Sequence, residues 1–391
     1  MRRRSRGLRP HALIALLSLP ASVAAAHGPA PVALEVLAYD GSTPILLRTN
    51  VGLARAAGDG TYDYICPSRW DGNELALSAA SPDGTEILVH SAGVAFLSRD
   101  GGCAFEALTG DDVYVLDIAR TAGGFVIIAE DYPDDLDPDA SRIYEVSAGV
   151  ATELAAVFPG AIDGVLGLAP EAGFIVSGHA PRVFVADGSG RELPVGDATA
   201  SRLTPRAARG ADIWLRAIEP EGVRLWRLTD GEPERSAPVE VIHGPVHDGA
   251  RWLALLDGVL HEHAGAWAPL GEVEWTCLRS LERRNFACSL QAMQELSGST
   301  GAPVASPVFS VRQLAAPSAC GGAEAQLACD RDWAHFGGES GWLDTLPART
   351  PTSERAVPSG CSVGGVPREL PCPLLILCGV IVWIYRARLS R

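Results

Sequence analysis

One strand–turn–strand unit recurs through most of this chain, and nothing constrains the fold more. The clearest copy runs Thr85-Glu-Ile-Leu-Val-His-Ser91, then Gly93-Val-Ala-Phe-Leu-Ser-Arg-Asp100, then Gly101-Gly102, then Cys103-Ala-Phe-Glu-Ala-Leu108. β-branched and aromatic residues alternating over short runs, closed by Gly or Asp-Gly, mark strands and tight turns. Comparable units close on Asp59-Gly60, Gly149, Asp187-Gly188, Asp230-Gly231, Gly265 and Gly298. Successive turns lie roughly 33 to 48 residues apart, the length of one four-stranded propeller blade. Between His27 and Gly360 no long amphipathic helical pattern interrupts them, which argues against βαβ units. The expectation is an all-β body over 27–315, a β-propeller of seven blades with four antiparallel strands each.

The ends of the chain predict where that body goes. Arg2, Arg3, Arg4, Arg6 and Arg9 precede an apolar run from Ala12 to Leu19 and a small-residue site at Ala24-Ala25-Ala26. This is the layout of a secretory signal peptide over 1–26, too short to span a bilayer. At the other end an apolar run from Leu370 to Tyr385 precedes Arg386, Arg388 and Arg391, which sets that end on the cytoplasmic side and the body outside. Pro371 and Pro373 shorten the helical part of the run. Residues 346–360, rich in Pro, Thr, Ser and Arg, form a stalk. Residues 316–345, with two cysteines and two tryptophans, form an extension packed on the propeller.

Cysteine at 361 after Gly360, the Gly364-Gly365 pair, the apolar stretch and the terminal arginines resemble the MYXO-CTERM sorting tails of myxobacterial surface proteins. The resemblance covers residues 361–391 and implies processing near Cys361, lipid attachment there and display at the cell surface. A permanent transmembrane anchor gives the same topology.

Composition excludes one class of partner. Nine of the 32 basic residues, all arginine, lie in the two ends, whereas 46 of the 47 acidic residues lie in the body. The body therefore sets 23 arginines against 46 carboxylates, and nucleic-acid binding finds no basic stripe to offset phosphate charge. Cys66, Cys103, Cys277, Cys288, Cys320 and Cys329 are an even set in an exported chain, which implies disulfides, with no CxxC spacing for zinc. Six cysteines allow fifteen pairings. Pairing of neighbours, Cys66–Cys103, Cys277–Cys288 and Cys320–Cys329, is the least strained arrangement.

Ser98-x-Asp100-x-Gly102-x-x-Phe105 is similar to the Asp-box of sialidase-like and sortilin-like propellers, with Phe105 for the usual Trp and Ala104 for the usual Thr. The physics of such a turn is structural: the carboxylate accepts turn N–H groups, glycine supplies a positive φ and the aromatic packs beneath. The resemblance to sialidases implies an exo-acting glycosidase as the alternative to a binding module. The Arg-Ile-Pro motif of that family is absent, and Arg202 and Arg224 have no diagnostic neighbours.

Three other groups can be weighed. Asp135, Asp137 and Asp139 begin like a calcium loop, but Ala140 and Val146 stand where such a loop needs Gly and Glu. His243, His247, His261 and His263 cluster without supporting carboxylates, so they read as polar strand residues rather than a metal site. Trp333, His335, Phe336 and Trp342 could hold a sugar or partner, or plug the end of the ring. No catalytic constellation, cofactor site or metal site follows from these residues. The reading is a surface-displayed binding or interaction module for a protein or glycan ligand, held at the membrane by its tail.

Overall fold

The computed structural model describes residues 32–340, apart from breaks that fall chiefly in the connections between strands. The expected signal peptide and stalk, and the expected sorting tail with Cys361, Gly364 and Gly365, lie outside the described residues. Among the described residues no helix is long and apolar enough to cross a membrane.

The described strands form seven sheets, each a run of four consecutive antiparallel strands. Their first strands are Ala33–Asp40, Leu77–Ala80, Val113–Arg120, Ile162–Gly167, Arg202–Arg209, His243–Asp248 and Cys277–Leu281. Each first strand touches the first strand of the next sheet, and Cys277–Leu281 returns to Ala33–Asp40. The sheets thus stand around a common axis as the blades of a β-propeller.

The third sheet shows why the sequence builds blades. Phe125-Val-Ile-Ile-Ala129 is a continuous apolar run, and all five residues are fully buried. Side chains alternate across a strand. Accordingly Phe125, Ile127 and Ala129 pack with Leu88, Ala95 and Leu97 of the second sheet. Val126 and Ile128 pack instead with Ile162 and Val165 of the fourth. One strand feeds two interfaces, and each fully buried large aliphatic contributes about 1.5–3 kcal/mol.

The ring closes by adding a strand from its C-terminal end to the four strands of the first blade. Leu314–Ala315 adds a short parallel strand outside Tyr62–Ile65, so the first sheet has five strands. Tyr62 packs edge-on against Phe309 of the seventh sheet, with ring centroids 4.9 Å apart.

Two expectations are corrected here. The chain beyond the ring is helical, with α1 spanning Gly322–Ser340. Its inward stripe is narrow: Cys329 and Phe336 are buried, and Trp333 lies partly buried beside them. Phe336 stacks on Tyr64 at 6.1 Å and Trp333 lies 5.4 Å from the same ring. These aromatics face the first sheet instead of forming an open platform. Trp342 is outside the described residues.

The second correction concerns the disulfides. Cys277–Cys288 crosses a hairpin between directly paired residues. Cys66 pairs with Cys329 and Cys103 with Cys320, so the expected Cys66–Cys103 and Cys320–Cys329 bridges do not form. Neighbours in sequence lost to the return of the chain, which brings α1 back onto the turn Pro67–Arg69. Three disulfides are the chemistry of an oxidising compartment.

Candidate functional site: the axial cavity

The first strands of all seven sheets enclose a cavity of about 340 Å³ on the ring axis. Glu35, Ser78, Ile118, Val165, Arg206, Val246 and Arg279 represent the seven strands in its wall. Polar, charged and small apolar groups alternate because a strand at the axis turns every second side chain inward.

Four charged residues enter this wall, Glu35, Arg120, Arg206 and Arg279, from four different sheets. Glu35 pairs with Arg48 at 3.2 Å, and Arg279 Nε lies 3.8 Å from its other oxygen. Arg48 also donates to the carbonyl oxygen of Ala76 at 3.3 Å. Burial, opposed by Glu35 and reinforced by Arg279, holds the Arg48 pKa below the usual arginine value. Arg206 is likewise lowered, by burial first and then by the charges of Arg216 and Arg279, with Asp117 opposing. The Nε atoms of Arg48, Arg206 and Arg279 are buried without a hydrogen-bond partner. Arg279 thus repels both Arg48 and Arg206, and Arg216 also repels Arg206, in a protein that is acidic overall.

Asp117 sits behind the wall. Its two oxygens accept the backbone N–H groups of Ile118 at 2.9 Å and Val165 at 3.0 Å. Burial pushes its carboxyl up to about 6, against those hydrogen bonds and Arg206, with Glu35 adding to the rise.

The other groups singled out in the sequence lie elsewhere. Arg202 is exposed at the start of its strand. Arg224 belongs to the third strand of the fifth sheet and forms an ion pair with buried Glu219 at 2.7 Å. His243 and His247 are on the first strand of the sixth sheet, and His261 and His263 on the third, with Arg251–Leu255 between them. Two strand spacings, about 10 Å, separate the pairs. Among the described residues no three His, Cys, Asp or Glu side chains come together as metal ligands. Asp135, Asp137 and Asp139 lie outside the described residues.

The turn at Ser98–Phe105 is built as its residues require. Asp100 Oδ1 accepts the N–H groups of Cys103 at 2.9 Å and Ala104 at 3.0 Å, and the Ser98 hydroxyl at 2.8 Å. Burial opposes ionisation of Asp100, but the bonds from Ala104, Ser98 and Cys103 prevail and hold its pKa below the ordinary value. Gly101 and Gly102 have φ of +73° and +94°. Phe105 packs edge-on against Trp70 at 5.2 Å. The turn lies on the third strand's outer connection and takes no part in the cavity.

The residues that sequence reasoning missed are Arg48, Arg206 and Arg279. Arg206 follows Pro205 in a strand that also carries Arg202 and Arg209, so its sequence does not single it out.

No family model matches this chain, and no curated protein matches it. Solved structures do. PorZ, a surface component of the type-IX secretion system of Porphyromonas gingivalis, is 11% identical over 72% of this chain and 38% of its own, with a TM-score of 0.45. An ancestral GH74 enzyme is 11% identical over 72% of this chain and 46% of its own, with a TM-score of 0.47. The extracellular domain of a one-component system from B. thetaiotaomicron is 12% identical over 68% and 38%, also at 0.47. This chain spans less than half the length of each. Overlaps of this extent carry no argument about ligand or reaction.

Proposed function

We propose that this chain is an exported, surface-anchored, seven-bladed propeller that binds an anionic ligand in its axial cavity without transforming it. One observation carries the reading: half-buried Arg120, Arg206 and Arg279, on three separate first strands, line a cavity to which a single carboxylate, Glu35, contributes. The closed cycle of seven first strands supports the blade count. The Ser98–Phe105 turn, with its carboxylate-centred hydrogen bonds, supports the likeness to Asp-box propellers. Export and attachment rest on the two ends of the chain, and the three disulfides favour them.

The planar guanidinium fork suits a carboxylate, and a cavity of this size is at the small end for organic ligands, about 300–1,000 Å³. A sugar acid fits both demands.

A glycosidase is the second reading, favoured by a carboxyl raised to about 6 beside a second carboxylate. Such an enzyme needs two carboxyl groups flanking the scissile bond, one of them able to reach the leaving oxygen. Asp117 is not in the cavity wall, and both its oxygens are occupied by backbone N–H groups. Glu35 is held between Arg48 and Arg279. Binding is the better reading.

A glycan array probed with the full chain and with Ser78→Phe tests it. The expected result is retention of acidic glycans by the native protein and none by the variant, whose added ring fills the cavity. Turnover of an acidic polysaccharide that disappears in Glu35→Gln would replace binding with hydrolysis.

A further inference from the structure

Four half-cystines and one cation meet where α1 joins the ring. Arg69, buried at the end of the turn Pro67–Arg69, sends Nε to within 3.1 Å of Cys329 Sγ and Nη1 to within 2.9 Å of Cys320 Sγ. One guanidinium thus touches one sulfur of each long-range disulfide. Its remaining bonds go to the carbonyl oxygens of Gly102 at 2.6 Å and Ser318 at 3.4 Å. Its hydrogen-bond partners among the described residues include no carboxylate. Asp100 acts on this guanidinium only through space. A guanidinium keeps its proton, and a disulfide sulfur is a poor acceptor, so a thiolate in the same place would supply a countercharge in direct contact.

The two bridges differ in access. Cys66 and Cys329 are fully buried, whereas Cys103 and Cys320 are half-buried. Solvent therefore reaches the Cys103–Cys320 bridge first.

We propose that Cys103–Cys320 is a thiol-exchange site, opened by an external thiolate that attacks Cys103 while Arg69 receives Cys320 as the leaving thiolate. A new S–S bond forms between the reagent sulfur and Cys103 Sγ, the Cys103–Cys320 bond breaks, and its electron pair leaves on Cys320 Sγ. The reagent's proton goes to solvent, and this step involves no net oxidation. Attack falls on Cys103 because the sulfur with the better-stabilised thiolate leaves faster. Opening the bridge removes one of the two covalent ties between α1 and the ring and leaves Cys66–Cys329 as the other. The co-reactant is a thiol, small or protein-borne. This site is independent of the axial cavity.

The test uses the oxidised full chain, limiting glutathione, an iodoacetamide quench and peptide mass spectrometry. The expected products are a glutathione adduct on Cys103 and alkylation of Cys320, formed before Cys277–Cys288 opens. Arg69→Gln should slow the opening about tenfold, while Arg69→Lys keeps most of the native rate. An adduct on Cys320, opening of all three bridges at one rate, or an unchanged rate in Arg69→Gln would overturn the proposal. If Arg69→Gln does not fold, the pH dependence of Cys320 alkylation in the opened native chain decides. Thiolate reactivity persisting at least about one unit below the ordinary value near 8.5 supports the site, and ordinary titration overturns it.

Discussion

The carboxylate of Asp117 accepts the backbone N–H of Val165 at 3.0 Å, a bond that crosses from the third sheet to the fourth just behind the cavity wall. The bond ties two blades together, yet burial makes the charge that forms it costly. Because the folded pKa is raised from 3.8 to about 6, the native state holds a proton that the unfolded state has released between those values. Stability falls as pH rises through that window, by roughly 3 kcal/mol in all, with the cost absent below about 4 and complete above about 6. Asp117→Asn should remove that dependence and keep one of the two backbone hydrogen bonds. Urea denaturation at several pH values should show a flatter profile, with the variant gaining on the native protein as pH rises. Parallel profiles would contradict the burial argument.

The long-range disulfides should dominate covalent stabilisation. Cys66–Cys329 closes a separation of 263 residues and Cys277–Cys288 one of 11. Loop entropy predicts about 5.6 kcal/mol for the first and about 3 for the second, in a model that ignores native strain. The double variant Cys66→Ala, Cys329→Ala should therefore have the lower urea midpoint of the two pairs of substitutions. It should also increase amide exchange in α1, which Cys277→Ala, Cys288→Ala should not do.

Much of the ring was legible in the sequence because a blade is a local object. Runs such as Phe125–Ala129 and Ile87–Ser91 declare strands by composition, and Asp-Gly and Gly-Gly declare the turns between them. The helix was hidden because, among its described residues, the apolar packing onto the ring comes from Cys329, Trp333 and Phe336, a stripe too thin among small and polar residues to show a period. The disulfide partners were hidden for a different reason. Cys66 and Cys329 meet only after the ring has closed, and no local pattern records a contact between the two ends of a propeller. The cavity arginines share that difficulty. Arg206 and Arg279 become neighbours through the axis, while Arg224, equally prominent in sequence, is on a third strand and pairs with Glu219.

Glu219 holds a buried polar junction in the fifth sheet. Its oxygens take the Trp226 indole N–H at 2.8 Å and the Arg224 ion pair at 2.7 Å. Glu219 is 7% exposed and Trp226 is fully buried. Glu219→Ala removes the acceptor of the fully buried Trp226 indole N–H and should cost roughly 1–3 kcal/mol. Glu219→Gln keeps an acceptor for the indole and should recover part of the loss. Denaturant midpoints and Trp fluorescence at neutral pH would check the order native, Gln, Ala.

Anion recognition in the cavity depends on the axial arginines Arg206 and Arg279. Calorimetric titration of the full chain with glucuronate and with glucose, at low and moderate salt, separates charge recognition from simple cavity filling. The account predicts measurable heat with glucuronate, at least about tenfold weaker binding of glucose, and loss of at least about tenfold in glucuronate affinity on Arg206→Gln or Arg279→Gln. Added salt should weaken the native interaction. Equal binding of the two sugars, or glucuronate affinity unchanged in both arginine variants, would contradict it.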